Sequence, residues 1–189
     1  MNGHEKLELA QRAYDLGFRY EHEYRGCAQC TIAAVQDALG IQADAIYKAA
    51  SGLAGGIGGC TDGVCGGYSG AILMLGLLFG RTRKEQGSPA GHAAKDHATA
   101  MAASIHDQFT TRFGSVTCKD IHGKLLGRPY DLRDPLDKVA FHEAGAHDDA
   151  NKCCDVVGTA AGWTVAAILD EPQARGLSVA DIGTLVTDA

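Results

Sequence analysis

Seven cysteines are the side chains of this sequence with the most distinctive chemistry, because thiolates bind soft metals and exchange electrons. They fall into four segments of the chain: Cys27 with Cys30, Cys60 with Cys65, Cys118 alone, and the adjacent pair Cys153 and Cys154. An odd number of cysteines, two of them adjacent, favours reduced thiols that hold a metal over a disulfide framework. Free cysteines that only pack as small hydrophobic residues are the alternative.

A glycine-rich stretch at residues 51–70, SGLAGGIGGCTDGVCGGYSG, contains two of these cysteines. Backbone without Cβ atoms lets N–H groups approach bulky, negatively charged sulfur, so we expect glycines of this stretch to line a cofactor. The expected cofactor-binding residues are Gly58, Gly59, Gly66 and Gly67. A phosphate-binding loop or a dinucleotide fingerprint would need a different glycine spacing. A flexible linker is disfavoured by the apolar segment that follows directly.

Histidine is the other residue type here that could ligate a metal. His122 follows Cys118 by four residues, which places both on one face if this segment is helical. The Cys27 and Cys30 pair, CAQC, could instead form a redox dithiol, although the βαβ pattern of thioredoxin-like proteins is missing around it. Thr31 stands where covalent haem attachment would need a histidine, so a c-type haem is unsupported.

Composition and charge bound the class of protein. The chain has 189 residues, 46% of them apolar, and a formal net charge of -6, which fits one soluble domain over residues 1–189. This acidic balance, with only a short basic patch at residues 81–84, predicts no nucleic-acid binding. The N-terminus lacks an apolar signal core, and the longest apolar run, residues 71–79, is too short for a membrane span. We therefore expect a cytoplasmic protein.

Hydrophobic periodicity predicts helices along nearly the whole chain. The predicted helical segments are residues 5–16, with Leu7, Ala10 and Tyr14 on one face, then 27–39, 43–53, 68–79, 93–113 and 151–169. Residues 68–79 are almost wholly apolar and should form a buried central helix. We expect residues 126–134 to be irregular, and the tail after Pro172 to end in a short helix opened by Ser178.

The fold class follows from these patterns. Alternation of apolar and polar residues, which is typical of half-buried strands, is lacking, and β-branched residues are scattered. The sequence therefore predicts an all-α fold, a compact helical bundle in which the glycine- and cysteine-rich loop precedes a buried central helix.

The cysteines and glycines together resemble a known family over nearly the whole chain. This family comprises the redox-active proteins named for a C…GCAxxG…C…C pattern. Its first cysteine corresponds to Cys27, its Cys-Gly-Ala-x-x-Gly motif to residues 65–70, its third cysteine to Cys118, and its fourth to Cys153 or Cys154. The resemblance implies a helical domain whose cysteines bind an iron–sulfur centre or carry out thiol redox chemistry, similar to the cluster-bearing part of the split-Soret cytochromes.

The sequence departs from the family pattern in two ways. Gly67 stands in place of the motif's alanine, which either loosens the start of the central helix or admits a larger centre. Cys30, Cys60 and one cysteine of the adjacent pair exceed the family's four. These extra thiols could ligate additional iron, giving a cluster larger than four irons, or form a second redox pair.

The leading interpretation is an iron–sulfur protein that transfers electrons or reduces a small molecule, in the latter case as a cluster-dependent oxidoreductase. Its metal ligands are expected among the seven cysteines and His122. An electron donor or acceptor protein is the expected partner, because nucleotide and flavin fingerprints are lacking. A homodimer is a further expectation, since a long apolar helix in a chain of this size favours a partner surface.

Two alternatives to this interpretation remain open. A thiol–disulfide oxidoreductase would use Cys27 with Cys30, or Cys60 with Cys65, and would need accessible thiols of low pKa. A structural zinc protein would use its cysteines only to fasten the bundle, and removal of zinc would then unfold the chain.

Overall fold

The computed structural model describes residues 2–171 and 179–182. Within these residues the regular secondary structure is helical, apart from one isolated bridge between Val64 and Thr117. The helices are α1 (Gly3–Glu23), α2 (Cys27–Leu39), α3 (Asp44–Ala49), α4 (Gly66–Phe79), α5 (Pro89–Phe113), α6 (Cys118–Leu126), α7 (Pro135–Glu143), α8 (Cys153–Asp170) and α9 (Val179–Ile182). A 3-10 turn at Ala50–Leu53 continues α3. The predicted all-α fold class is confirmed.

Local sequence signals set several helix ends. At the start of α1, the Asn2 side chain accepts a hydrogen bond from the Glu5 backbone N–H at 3.0 Å, and Glu5 Oε2 accepts one from the Asn2 backbone N–H at 2.7 Å. Ser88 and Asp134 cap α5 and α7, and each of these helices begins with a proline. Gly40, with φ +66°, ends α2.

Helix α8 lies at the centre of the core, where it packs against α1, α2, α4 and α5. Its buried residues include Val157, Ala161, Thr164 and Ile168. The contact with α1 is close, since a Cβ on Gly158 would lie 2.7 Å from the carbonyl oxygen of Tyr14. Helix α4 is the apolar helix expected after the glycine-rich loop and packs against α2, α5 and α8. The close α1–α8 contact brings the C-terminal end of α1 near the segment that precedes α8.

Among the described residues, α8 is the one helix long and apolar enough to cross a bilayer. Of its apolar window, 67% is buried inside the fold. Core helices of this kind meet the same criteria of length and composition, so this finding is weak support for a membrane span.

Several details differ from the helix prediction, including helix α6, which is not among the predicted helical segments. Leu7, which the spacing places on a helix face with Ala10 and Tyr14, is 72% exposed. The stripe that α1 buries consists of Ala13, Gly17 and Glu21, whose two small residues allow the close contact with α8.

Periodicity also misses α7, because the helix is short, although an aspartate followed by a proline is a helix-start signal. Pro172 and Ser178 of the predicted tail helix lie outside the described residues, and α9 begins just after them.

Candidate metal centre

Four cysteines line a single cavity of about 370 Å³, which is partly open to solvent. One comes from each cysteine-bearing segment: Cys27, Cys65, Cys118 and Cys153. We call this space the cysteine cavity. It is many times larger than the space needed by one water molecule. Within the described part of the chain, no group of three or more His, Cys, Asp or Glu side chains is arranged to hold a metal ion. The thiols therefore surround a space instead of converging on one point.

Each cavity cysteine stands at the N-terminal end of a different helix. Cys27, Cys118 and Cys153 are the first residues of α2, α6 and α8, and Cys65 is the N-cap residue of α4. Within the described residues these four helix starts have no side-chain cap, whereas α1, α5 and α7 have one. Such helix starts present the positive end of the helix dipole, although backbone carbonyls pair some of their N–H groups, such as that of Cys153 with Ala146 at 3.0 Å. The four ends therefore favour negative charge in the cavity.

A short antiparallel pairing of backbone holds Cys65 beside Cys118. The N–H of Cys65 donates to the carbonyl of Val116 at 2.8 Å, and the N–H of Cys118 donates to the carbonyl of Gly63 at 2.9 Å. These bonds join the chain entering α4 to the chain entering α6. The starts of both helices, and with them two cavity cysteines, are thereby fixed relative to one another.

The glycine-rich loop follows a backbone path that few side chains allow. Five consecutive residues, 55–59, have positive φ angles between +59° and +76°, and four of them are glycine. The fifth is Ile57, with φ +68°. A Cβ on Gly56 would lie 2.7 Å from the Cβ of Cys118. The glycines thus permit both left-handed backbone and close packing against a cavity cysteine.

The motif glycines of residues 65–70 have separate roles. A Cβ on Gly66 would overlap Cys27 Sγ, and a Cβ on Gly70 would lie 2.6 Å from the carbonyl oxygen of Ala28. Both glycines therefore let α4 approach the start of α2. At Gly67, by contrast, a Cβ would lie 3.5 Å from the nearest atoms of α8, which is ordinary contact. The family's alanine would fit here, so the departure at this position removes a contact with α8 without enlarging the cysteine cavity.

Of the remaining predicted site residues, some line the cavity and others lie outside its lining. Gly58 and Gly59 belong to the cavity lining, whereas Cys30 and Cys60 do not. The Sγ of Cys30 donates to the carbonyl of Arg25 at 3.2 Å. Cys60 is half-buried, and its Sγ lies 4.0 Å from the carbonyl oxygen of Gly58.

The adjacent cysteines face different surroundings. Cys153 lines the cavity, while the side chain of Cys154 is fully buried and its Sγ donates to the carbonyl of His147 at 3.2 Å. Of the adjacent pair, Cys153 is therefore the one that shares the cavity with Cys27, Cys65 and Cys118.

Burial raises the pKa of every cavity thiol. For Cys65 burial raises the pKa to about 11, although the backbone N–H groups of Tyr68 and Gly67 act to lower it. For Cys118 and Cys153, burial raises the pKa first, and the charges of neighbouring thiols and of Glu21 raise it further. The thiols therefore act on one another electrostatically. The raised pKa values keep these thiols protonated at neutral pH, so a metal that bound them would have to displace their protons.

Backbone N–H groups lie close to the sulfur of Cys27 and oppose the effect of burial on its pKa. Burial raises its pKa first, and the charges of Glu21 and Cys65 raise it further. The backbone N–H groups of Gly55 and Ala28 act in the opposite direction, because they donate to its sulfur. The glycine-rich loop and the start of α2 thus both supply N–H groups that stabilise a thiolate here.

His122 lines the cysteine cavity next to the thiol of Cys118. The two residues are four apart in α6, so they lie on the same face of this helix. The Nε2 of His122 is 3.5 Å from Cys118 Sγ, and its ring stacks on Phe141 with centroids 4.9 Å apart. Burial lowers its pKa from the ordinary 6.5 to about 4, so the ring is neutral at pH 7. Its Nδ1 is buried and has no hydrogen-bond partner among the described residues.

A buried acid and a second histidine also line the cavity, and neither is among the ligands expected from the sequence. Glu21 Oε1 lies 3.3 Å from His147 Nε2, and the two side chains are 4% and 8% exposed. The remaining atoms, Glu21 Oε2 and His147 Nδ1, lack partners in the described part of the chain. The available signal is the four-residue spacing of Ala13, Gly17 and Glu21, which places an acid on the buried stripe of α1.

The fold and the site define an all-α protein in which cysteines from four helix starts share one cavity. The chain belongs to the family described as "Putative redox-active protein (C_GCAxxG_C_C)", which matches residues 26–167. All four cavity cysteines lie in the matched range, and the resemblance drawn from the sequence is confirmed. No curated protein and no solved structure matches the chain.

Proposed function

We propose that this redox-active protein holds an iron–sulfur cluster in the cysteine cavity, with Cys27, Cys65, Cys118 and Cys153 as its ligands. The observation that supports this most is that four thiols, each at an uncapped helix start, line one cavity. Thiolates are soft, charged donors that suit iron, and a bound cluster would supply one-electron redox chemistry.

The surroundings of the cavity fit such a group. Position 66 has no Cβ, which leaves room for the sulfur of Cys27. Backbone N–H groups approach the sulfurs of Cys27 and Cys65, and such bonds stabilise negative sulfur and tune a cluster's potential. His122 adds a neutral imidazole beside Cys118, either as a further ligand or as a donor to its sulfur.

The cavity lining also bears on the size of the cluster. Four thiolates are the usual ligand set of a two-iron or a four-iron cluster. Because Cys30, Cys60 and Cys154 do not line the cavity, they would not reach a cluster bound there without rearrangement. The arrangement therefore favours two or four irons over the larger cluster that the extra cysteines suggest.

The cluster would serve electron transfer or the reduction of a small molecule. An electron donor or acceptor protein remains the proposed partner, and the partly open cavity gives either a partner or a small substrate access to the centre. The cytoplasmic location, the homodimer and the lack of nucleic-acid binding remain predictions from the sequence.

The two alternatives are less well supported. Thiol–disulfide exchange needs accessible thiolates, yet burial raises the pKa of Cys27, Cys30 and Cys65. A structural zinc site needs four ligands about 2.3 Å from one ion, whereas the cavity thiols surround a larger space.

The direct experiment is anaerobic purification followed by iron, sulfide and zinc analysis and a visible spectrum before and after dithionite. We expect equal iron and sulfide, two or four of each per chain, and charge-transfer absorption that bleaches on reduction. A protein that still lacks iron and sulfide after reconstitution would refute the proposal. Stoichiometric zinc in that protein would support the structural alternative.

A further inference from the structure

Three polar atoms in the wall of the cysteine cavity have no hydrogen-bond partner among residues 2–171 and 179–182. They belong to buried side chains that line the cavity: Glu21 Oε2, His122 Nδ1 and His147 Nδ1. Leaving a buried polar atom unpaired costs about 1–3 kcal/mol. A cluster held by four thiolates does not need these atoms as ligands. The cavity wall therefore keeps polar atoms that four cysteine ligands would leave unused: one carboxylate acceptor and two imidazole nitrogens.

Two cations lie at the exposed edge of the same cavity. Arg25 and Lys138 both line it and are solvent-exposed. Arg25 donates to the backbone carbonyl of Glu21 at 3.3 Å, and within the described residues neither cation forms an ion pair with a carboxylate. The backbone of Arg25 is left-handed, with φ +64°. The chain thus bears some strain in placing a guanidinium at this edge.

The charges along this side of the cavity are mostly positive. His142 shares the lining, and burial first, then the charges of His147, Arg25 and Lys138, lower its pKa, which shows that these groups lie within electrostatic reach of one another. The carboxylate of Glu21 is engaged with His147, and Asp148 lies nearby outside the lining. Cations grouped at the edge of a low-dielectric cavity attract and hold small anions.

We propose that the cysteine cavity contains a binding site for a small oxyanion, held by Arg25 and Lys138 at its edge. A planar guanidinium forms paired hydrogen bonds to two oxygens of a carboxylate or a similar oxyanion. The further claim that this oxyanion is the substrate of the redox centre rests on the proposed function. Binding of the oxyanion itself can be tested in protein that holds no cluster.

The test is calorimetric titration of the anaerobically purified protein with acetate, bicarbonate, sulfite and phosphate at constant ionic strength. Acetamide serves as the neutral isostere of acetate. We expect saturable binding of at least one anion, no binding of acetamide, and at least tenfold weaker binding in Arg25→Gln and in Lys138→Gln. Lys84→Gln makes the same charge change at an exposed position outside the cavity and should leave the affinity unchanged.

Two results would overturn the oxyanion site. One is a wild-type protein that binds none of the four anions. The other is an affinity that both cavity variants leave unchanged while their circular dichroism shows a native fold. If the variants only shift the midpoint potential and no anion binds, the two cations balance the charge of the cluster and the site is refuted. If no cluster forms, the proposed function fails separately, because calorimetry still reports anion binding.

Discussion

Cys27 Sγ occupies the space that a side chain at Gly66 would fill. This relationship joins the starts of α2 and α4 and explains why a glycine directly follows Cys65. The next residue, Gly67, has room for a Cβ, which would lie 3.5 Å from Ala160 Cβ. Two adjacent glycines of one motif therefore have different requirements, and the same substitution at each should have opposite effects.

We predict that Gly66→Ala displaces Cys27 and lowers both thermal stability and bound iron. Gly67→Ala should keep the metal content and stabilise the protein by about 0.5–1 kcal/mol, because alanine loses less backbone entropy in a helix. Thermal unfolding and iron analysis of the two variants, purified in parallel, provide the comparison. Equal iron content in Gly66→Ala and wild type would contradict the role given to this close contact.

The left-handed loop gives a second prediction, at Ile57. This residue has φ +68°, a conformation that costs a residue with a Cβ about 1–2 kcal/mol, and its side chain is 48% exposed. Replacing Ile57 by glycine should therefore stabilise the fold by up to about 1 kcal/mol, after allowance for the greater freedom of glycine in the unfolded chain.

A matched substitution in the same loop should have the opposite sign. In Gly56→Ala the new Cβ would lie 2.7 Å from the Cβ of Cys118, and the alanine would have to adopt a backbone φ of +67°. We expect destabilisation of about 1–3 kcal/mol in urea unfolding. If Ile57→Gly destabilised the protein as much as Gly56→Ala does, the loop would not be strained as described.

His122 should make the metal-free protein sensitive to acid. Burial lowers its pKa from 6.5 to about 4, so between these values the unfolded state binds a proton that the native state does not. The stabilisation is present above pH 6.5 and is lost as the pH falls toward 4, by at most about 3 kcal/mol. Urea midpoints measured at pH 7 and pH 5 test this.

The control for the pH prediction is His122→Phe, which keeps an aromatic ring beside Phe141. This variant should lose less stability between pH 7 and pH 5 than the wild type. Equal losses in both proteins would show that other groups account for the acid sensitivity.

Metal removal should leave most of the fold intact. The main hydrophobic core is formed mostly by residues of α1, α2, α4, α5 and α8, such as Ile32, Leu75, Phe109 and Ile168, which do not line the cysteine cavity. It borders the cavity at Cys65, Ile121 and Val156. We predict that chelation under reducing conditions preserves the helical circular dichroism. The smaller cluster of Tyr130, Phe141 and Ala146 beside the cavity should loosen and become more sensitive to protease. Cooperative unfolding on chelation would instead favour a structural zinc site.

Much of this fold could be predicted from the sequence, because its helices carry their own signals. Periodicity gives α2 with its observed ends, and the apolar stripe of α5 consists of Met101, Ile105, Phe109 and Phe113, all buried. Short helices with little periodicity, such as α7, are missed. Leu7 is misplaced because contact with α8, and not hydrophobicity alone, decides which face of α1 is buried.

The chemistry of the candidate site could be predicted from the sequence, but the full set of residues that line it could not. Residue type and helix-start context single out the cysteines, yet which of Cys153 and Cys154 faces the cavity depends on the rotation of α8. Glu21 and His147 are far apart in the chain, and only the packing of α1 against α8 brings them together. Tertiary contacts of this kind leave no local pattern in one sequence.

The most direct test of the central claim is the iron and sulfide content of seven single cysteine-to-serine variants, purified anaerobically in parallel with the wild type. Serine at Cys27, Cys65, Cys118 or Cys153 is predicted to abolish the cluster and its absorption or to reduce them severely. Serine at Cys30, Cys60 or Cys154 should leave the iron content and the spectrum near wild type. Full iron in Cys65→Ser, or loss of the cluster in Cys60→Ser with the fold intact, would contradict the four-cysteine centre.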